Sequence, residues 1–154
     1  MLAAFFAAYK ARHPGPLALV FAGPVKNAPE PHPDVVVAGA VDEPTKWGLL
    51  RSAQMLVNPS AMESFSIVVL EAWEAGIPVL VNARCHATHD HAVQSNGGLW
   101  FDGYGEFEVA VERVTADAAL RAELTARGRA YVAARYHWPT LLDRYAAFCE
   151  RLAP

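Results

Sequence analysis

Cysteine is scarce in this sequence. Only Cys85 and Cys149 occur among 154 residues, with neither the number for a disulfide framework nor the spacing of a metal site, so a reducing, cytoplasmic setting is the default. A basic surplus is missing as well. Thirteen Lys and Arg stand against sixteen Asp and Glu, a formal charge of −3, which argues against the broad positive footprint of a nucleic-acid binder. No apolar run has membrane-spanning length. The opening MLAAFFAAYKAR is closed by Lys10 and Arg12, short of the roughly 20 residues a span requires, and it lacks the basic leader of a signal peptide. No internal repeat, low-complexity tract or glycine-rich dinucleotide fingerprint is present. A soluble single domain is expected, since this length suffices to bury a core.

What the chain does have is a regular alternation of apolar segments. Leu2, Phe5, Phe6 and Tyr9 recur at helical spacing, and Pro14 and Pro16 stop that first helix near His13. LALVFAG (17–23) and DVVVAGAV (34–41) read as buried parallel strands, separated by a proline-rich loop. Thr45 to Ala53 has helical spacing at Trp47, Leu50 and Ala53, and MLVNPS supplies a third strand. An apolar helix from Ser66 to Ala75, a stop at Gly76 and the strand PVLVN follow. Residues 83–97 are polar and histidine-rich and give no clear period. Gly98 to Phe101 reads as a last strand, with three helices after it, at about 104–115, 117–135 and 139–152. Alternating strands and helices of this kind specify an α/β fold, a Rossmann-like open parallel sheet with helices on both faces. Ligands in such sheets bind beyond the carboxyl ends of the strands, which selects the loops around Gly23, around Gly39, from Asn58 to Ser66, and after Asn82.

The third of these carries the most chemistry. Ser66 is placed to cap the helix that follows, with Phe65 and Leu70 available for a hydrophobic staple. Gly76 and Pro78 end that helix. A helix opening at a strand's carboxyl end presents free N–H groups and a partial positive charge, a ready site for a phosphate or diphosphate. Glu71 lies in the second turn of the apolar run IVVLEAW. Buried without a partner it would cost on the order of several kcal/mol, so it must reach water, a cation or hydroxyl donors such as those of a ribose. Glu63, eight residues earlier, projects from the loop. The plain alternatives are a solvent-facing Glu71 on the helix edge, an ordinary loop residue at Glu63, and serines that only cap.

The run PSAMESFSIVVLEAWEAGIPVLVN, with its two glutamates eight apart and its G-x-P-V ending, resembles the signature of the group-1 glycosyltransferases. LALVFAG, VVVAGAVDEPTKWGLLRSAQMLVNPS, GGLWF and RGRAYVAARYHWPTLLDRYAAFCERL resemble further segments of that family, so the likeness covers nearly the whole chain. It implies the C-terminal, donor-binding half of a GT-B fold. It implies that Glu71 binds the ribose hydroxyls of a nucleotide-diphosphate sugar and that Glu63 contacts the transferred sugar near the reacting carbon. Backbone N–H groups of Ser64, Phe65, Ser66 and Ile67 would hold the diphosphate and sugar, and the backbone from Gly39 to Val41 would meet the base. The implied reaction is retaining sugar transfer, with no metal and no cofactor beside the donor substrate.

Two departures stand out. Ser64 and Ser66 occupy positions where the family usually has glycine, whose backbone freedom serine lacks. The arginine and lysine that neutralise the family's diphosphate precede the point where this chain begins, and neither Lys26 nor Arg84 is an assured replacement. A missing first strand and a missing N-terminal acceptor-binding domain of roughly 150 to 200 residues are the expectation. The chain alone is then expected to be inactive, and any peripheral membrane association would come only through the full-length enzyme. The alternatives are a non-catalytic nucleotide-sugar-binding or regulatory module, and an unrelated flavodoxin-like interaction domain.

Three further features complete the reading. RCHATHDH places His86, His89 and His91 close together, but the spacing matches no common zinc pattern; a donor-site loop or short helix touching sugar or diphosphate is expected. Trp73, Trp100 and Trp138 sit in apolar patterns and read as core. Arg121, Arg127, Arg129 and Arg135 read as a solvated helical face.

Overall fold

The structure, a computed structural model, describes residues 1–24 and 27–152. Five short strands alternate with helices: α1 (Leu2–Arg12), β1 (Leu19–Ala22), β2 (Val35–Gly39), α2 (Glu43–Ser52), β3 (Leu56–Asn58), α3 (Ile67–Ala75), β4 (Val79–Asn82), α4 (His86–Ser95) and β5 (Gly98–Phe101). Helices α5 (Tyr104–Ala116), α6 (Ala118–Tyr136) and α7 (Trp138–Leu152) complete the chain. Every strand pairing is parallel, as the alternating pattern predicts.

The central strand is β4, every residue of which is buried. Its alternation distributes two cores. Val79 and Val81 join a cluster with Val69, Ala72, Trp73 and Val132 on one side, whereas Leu80 joins Phe101, Phe107 and Val111 on the other. Such side chains each contribute about 1.5–3 kcal/mol on burial, and two-sided burial explains why the segment reads as an unbroken apolar run. Helix α3 ends at Gly76, whose φ of 99° suits glycine and whose N–H returns to the carbonyls of Ala72 and Trp73. The buried Trp73 indole donates to the Gly97 carbonyl at 2.8 Å.

The sheet is divided. β1 and β2 form one ladder and β3, β4 and β5 another. Both ladders border the same core, since Leu19 and Phe21 of β1 and Val57 of β3 pack against the Leu80–Phe101 cluster with α1 and α5. The Leu19 N–H bonds Asp34 and the Gly23 N–H bonds Gly39, so odd residues of β1 face β2 while Val20 and Ala22 face away. In β3, Leu56 bonds Pro78, which turns Val57 away from β4. Among the described residues nothing pairs with these outward N–H groups. β1 and β2 are therefore parallel, as their apolar runs predict, but not buried: Val20, Val36 and Val37 are exposed. The reasons are the unpaired edge of β1 and a proline-rich loop, rather than a helix, between β1 and β2.

The stretch 83–97, expected to be a donor-site loop or short helix, contains the ten-residue helix α4. Several other expectations need correction. Trp73 is core, but Trp100 is 46% and Trp138 72% exposed, because β5 is an edge strand and α7 buries no residue. Arg121 and Arg129 do not merely solvate a helix face. Arg121 donates to the carbonyls of Val114 and Thr115, and Arg129 to those of Trp73 and Glu74, so both bind carbonyls in the last turn of a helix. No helix among the described residues is long and apolar enough to cross a membrane.

Candidate functional site

The carboxyl ends of the strands converge on one edge, and short polar side chains bind their loops together. Gly39, left-handed at φ 68°, accepts from the Gly23 N–H at 2.7 Å and so ties the loops after β1 and β2. Asn82, at the end of β4, donates to the Pro59 carbonyl at 3.0 Å and accepts from the Arg84 N–H at 2.9 Å. Asn58, buried at the end of β3, is the organiser of the central loop. Its Nδ2 donates to Ser66 Oγ at 2.8 Å and reaches Glu63 Oε1 at 3.5 Å, while its Oδ1 accepts from the Ser60 N–H at 3.0 Å.

Ser66 occupies the N-cap of α3, yet its conformation is left-handed (φ 66°) and its side chain makes no cap hydrogen bond. The expected serine cap is thus corrected: Asn58 takes the hydroxyl instead. The Phe65 ring lies edge-to-face with His91 and Tyr136, at 5.0 and 5.3 Å. Without a side-chain cap, the start of α3 stays open. No described residue accepts from the N–H groups of Ser64, Phe65, Ser66, Ile67 or Val68, and the first bond at this end runs from Val69 to the Ser66 carbonyl. Ser64 and Ile67 are exposed.

Glu71 lies one turn beyond Ile67 on the open side of α3. Its side chain is 22% exposed, and one oxygen accepts from Lys46 Nζ at 2.8 Å. Lys46, on α2, also donates to Glu43 at 2.9 Å. Of the partners expected for a half-buried carboxylate, the structure supplies a cation. The Glu71 bond and then the Glu43 bond raise the Lys46 pKa above its ordinary value. One ammonium shared by two carboxylates leaves the second Glu71 oxygen able to accept further donors. The segment Gly39 to Val41 leads directly into α2, whose N-cap Asp42 accepts from the Thr45 N–H at 2.9 Å. Glu63, Ser66 and Asn58 are therefore one group; Glu71, Lys46 and the Gly39–Val41 turn are a second. Along the chain, the open N-terminus of α3 follows Glu63 and precedes Glu71.

The remaining basic and histidine residues take other roles. Arg84 is exposed and pairs with Asp102, which raises its pKa. Lys26 lies outside the described residues. His86 is exposed, and His89 stands edge-to-face with Trp100 at 5.0 Å. His91 turns into the interior, packed edge-to-face against Phe65. Lys46 and Asn58 are the residues that sequence reasoning missed; His91 was singled out there, but with its neighbours and for direct contact. An asparagine ending a strand was a signal available for Asn58, whereas Lys46 meets Glu71 only through the packing of α2 on α3.

A family model described as glycosyl transferases group 1 matches residues 26–131. A D-inositol 3-phosphate glycosyltransferase of Acidothermus cellulolyticus is 36% identical over 95 residues, which is 60% of this chain and 20% of that protein. A sucrose-phosphate synthase from Thermosynechococcus elongatus superposes with a TM-score of 0.77 at 23% identity, covering 97% of this chain and 42% of the other. The Anabaena protein HepE, solved in complex with UDP, superposes with a TM-score of 0.78 at 15% identity, covering 96% and 44%. The chain thus spans about a fifth of that curated relative and less than half of these solved structures.

Proposed function

From the group 1 glycosyl transferases, the family to which this chain belongs, we infer that its role is to bind the nucleotide-diphosphate sugar for transfer with retention. The observation that carries the reading is the open N-terminus of α3, set between Glu63 and the Lys46–Glu71 pair. The free N–H groups of Ser64 to Ile67 hold the diphosphate, where aligned backbone dipoles favour negative charge. Glu71, held by Lys46, accepts the ribose hydroxyls with its second oxygen. Glu63, held by Asn58, accepts a hydroxyl of the sugar beside the reacting carbon. The Gly39–Val41 backbone meets the base.

Transfer also needs an acceptor fixed in line with the sugar carbon, and the leaving diphosphate needs positive charge as it departs. We assign both to chain outside these 154 residues. The unpaired edges of β1 and β3 support a strand between the two ladders. A strand–α1–β1 unit of the usual right-handed kind would put it there. The exposed stripe of Trp138, Leu142, Tyr145 and Phe148 on α7 supports contact with a second domain.

Titration with uridine, guanosine and adenosine diphosphates tests the reading. One of them binds, and Glu71→Ala weakens it about 10- to 100-fold, the value of a charged hydrogen bond lost. Absence of binding at millimolar concentration, or an unaltered Glu71→Ala protein, refutes the site. Retention is checked in the full-length enzyme by the anomeric configuration of the product.

A further inference from the structure

A buried imidazole beneath the loop joins three elements. His91 on α4 is 5% exposed. Its Nε2 lies 3.1 Å from the Phe65 carbonyl oxygen and its Nδ1 2.9 Å from the Tyr131 hydroxyl on α6. The Tyr131 hydroxyl in turn lies 3.3 Å from that of Tyr136. Phe65, Tyr131 and Tyr136 surround the ring edge-to-face at 5.0 to 5.8 Å.

The direction of each bond follows from the groups. A carbonyl oxygen only accepts, so Nε2 carries a proton and donates it. Burial lowers the His91 pKa; Arg135 works the same way, against the Phe65 bond and Asp90. The ring is therefore neutral, and Nδ1 accepts the Tyr131 proton. Tyr131 is pushed up to about 12, chiefly by burial, and keeps that proton to give. Its oxygen then accepts from Tyr136.

This relay ends on the peptide between Phe65 and Ser66. The bond is trans, like every other in the described chain, so its carbonyl and its N–H point in opposite directions. Holding the Phe65 oxygen toward α4 fixes the Ser66 N–H toward the opposite side, at the open end of α3. We propose that His91 is a positioning residue for donor binding, setting through the Phe65 carbonyl the peptide that offers the Ser66 N–H to the diphosphate. The proposal rests on the donor-site reading above, yet the two fail differently.

The test compares the wild-type full-length protein with His91→Phe, His91→Gln and Tyr131→Phe. Each is titrated with uridine, guanosine and adenosine diphosphates and with the three nucleosides. His91→Phe fills the aromatic box but donates nothing to Phe65. It lowers affinity for the bound diphosphate about tenfold, as loss of one well-aimed charged hydrogen bond implies, and leaves nucleoside affinity unchanged. His91→Gln keeps an N–H donor and recovers most of the loss. Tyr131→Phe, which disturbs the relay without touching the imidazole, gives a smaller loss of the same kind should His91→Phe fail to fold. Equal losses for diphosphate and nucleoside would mean general damage and overturn the proposal. So would unchanged diphosphate binding in His91→Phe or, failing that variant, in Tyr131→Phe. A wild-type protein that binds no diphosphate brings down the donor-site reading first, and this proposal with it.

Discussion

Gly128→Ala is the substitution in which two well-known effects disagree in sign. Gly128 lies within α6, where alanine is intrinsically better by about 1 kcal/mol. The packing opposes this. A Cβ at Gly128 would stand 2.1 Å from Trp73 Cδ1 and 2.3 Å from its Cγ and Nε1. Against a comfortable carbon contact of about 3.5 Å, helix and indole must separate by about 1 Å or more. Neither side yields easily. The indole is wholly buried and bonded to the Gly97 carbonyl, and a Cβ on Gly97 would itself meet the Gly128 backbone at 2.6 Å. Overpacking of that severity costs about 3 kcal/mol, the upper part of the usual range. The net effect is a loss of about 2 kcal/mol, which lowers Tm by about 4–8 °C for a domain of this size. Thermal unfolding followed by circular dichroism and by tryptophan fluorescence measures it. A Tm equal to or above wild type would show that propensity outweighs the contact, and the close α3–α6 packing argued above would be wrong.

Other outcomes follow from the site. Ser66 is left-handed without being glycine, a conformation that costs about 1 kcal/mol. Ser66→Gly relieves the strain while losing the Asn58 bond, whereas Ser66→Ala loses the bond and keeps the strain. Urea unfolding is expected to rank glycine above alanine by about 1 kcal/mol, and the reverse order would contradict the φ of Ser66. Lys46 has a raised pKa in the folded state, so its contribution is complete below the unfolded value and fades as pH rises through the folded one. Stability is expected to fall at strongly alkaline pH, and Lys46→Met to flatten that part of the profile in a pH series of unfolding curves. Glu63→Gln in the full-length enzyme is expected to leave nucleoside diphosphate affinity within about twofold while lowering kcat, because the proposed function assigns the group to the sugar and not to the nucleotide.

The fold was legible wherever an unbroken apolar run marked an element. Val79 to Asn82, Gly98 to Phe101 and the helix from Ile67 to Ala75 lie close to where their patterns predict. For α4 the sequence leaves a loop and a short helix both open. Its inward residues are Thr88, His91, Ala92 and Ser95, spaced as a helix requires but mostly polar, so hydropathy carries no signal. The paired glutamates pick out the candidate loop, and the requirement that Glu71 find a partner is met by Lys46. Which partner it finds depends on how α2 crosses α3, a tertiary fact that the local sequence does not contain. Ser66 failed as a cap for a similar reason: a residue from the preceding strand competes for its hydroxyl. Trp100 and Trp138 looked like core because an edge strand and a terminal helix share the residue types of buried ones.

The division of the sheet into two ladders also bears on how this domain can be handled. Open parallel edges invite pairing with any extended chain, so the isolated 154 residues are expected to self-associate during refolding more readily than a protein with a continuous sheet. The same seam offers a place for control. A short synthetic peptide of alternating apolar residues, sized to the four residues of β1 and the three of β3, would act as a detachable keystone. Bound there, it would steady the edges of β1 and β3, from which the Gly23 and Asn58 loops continue.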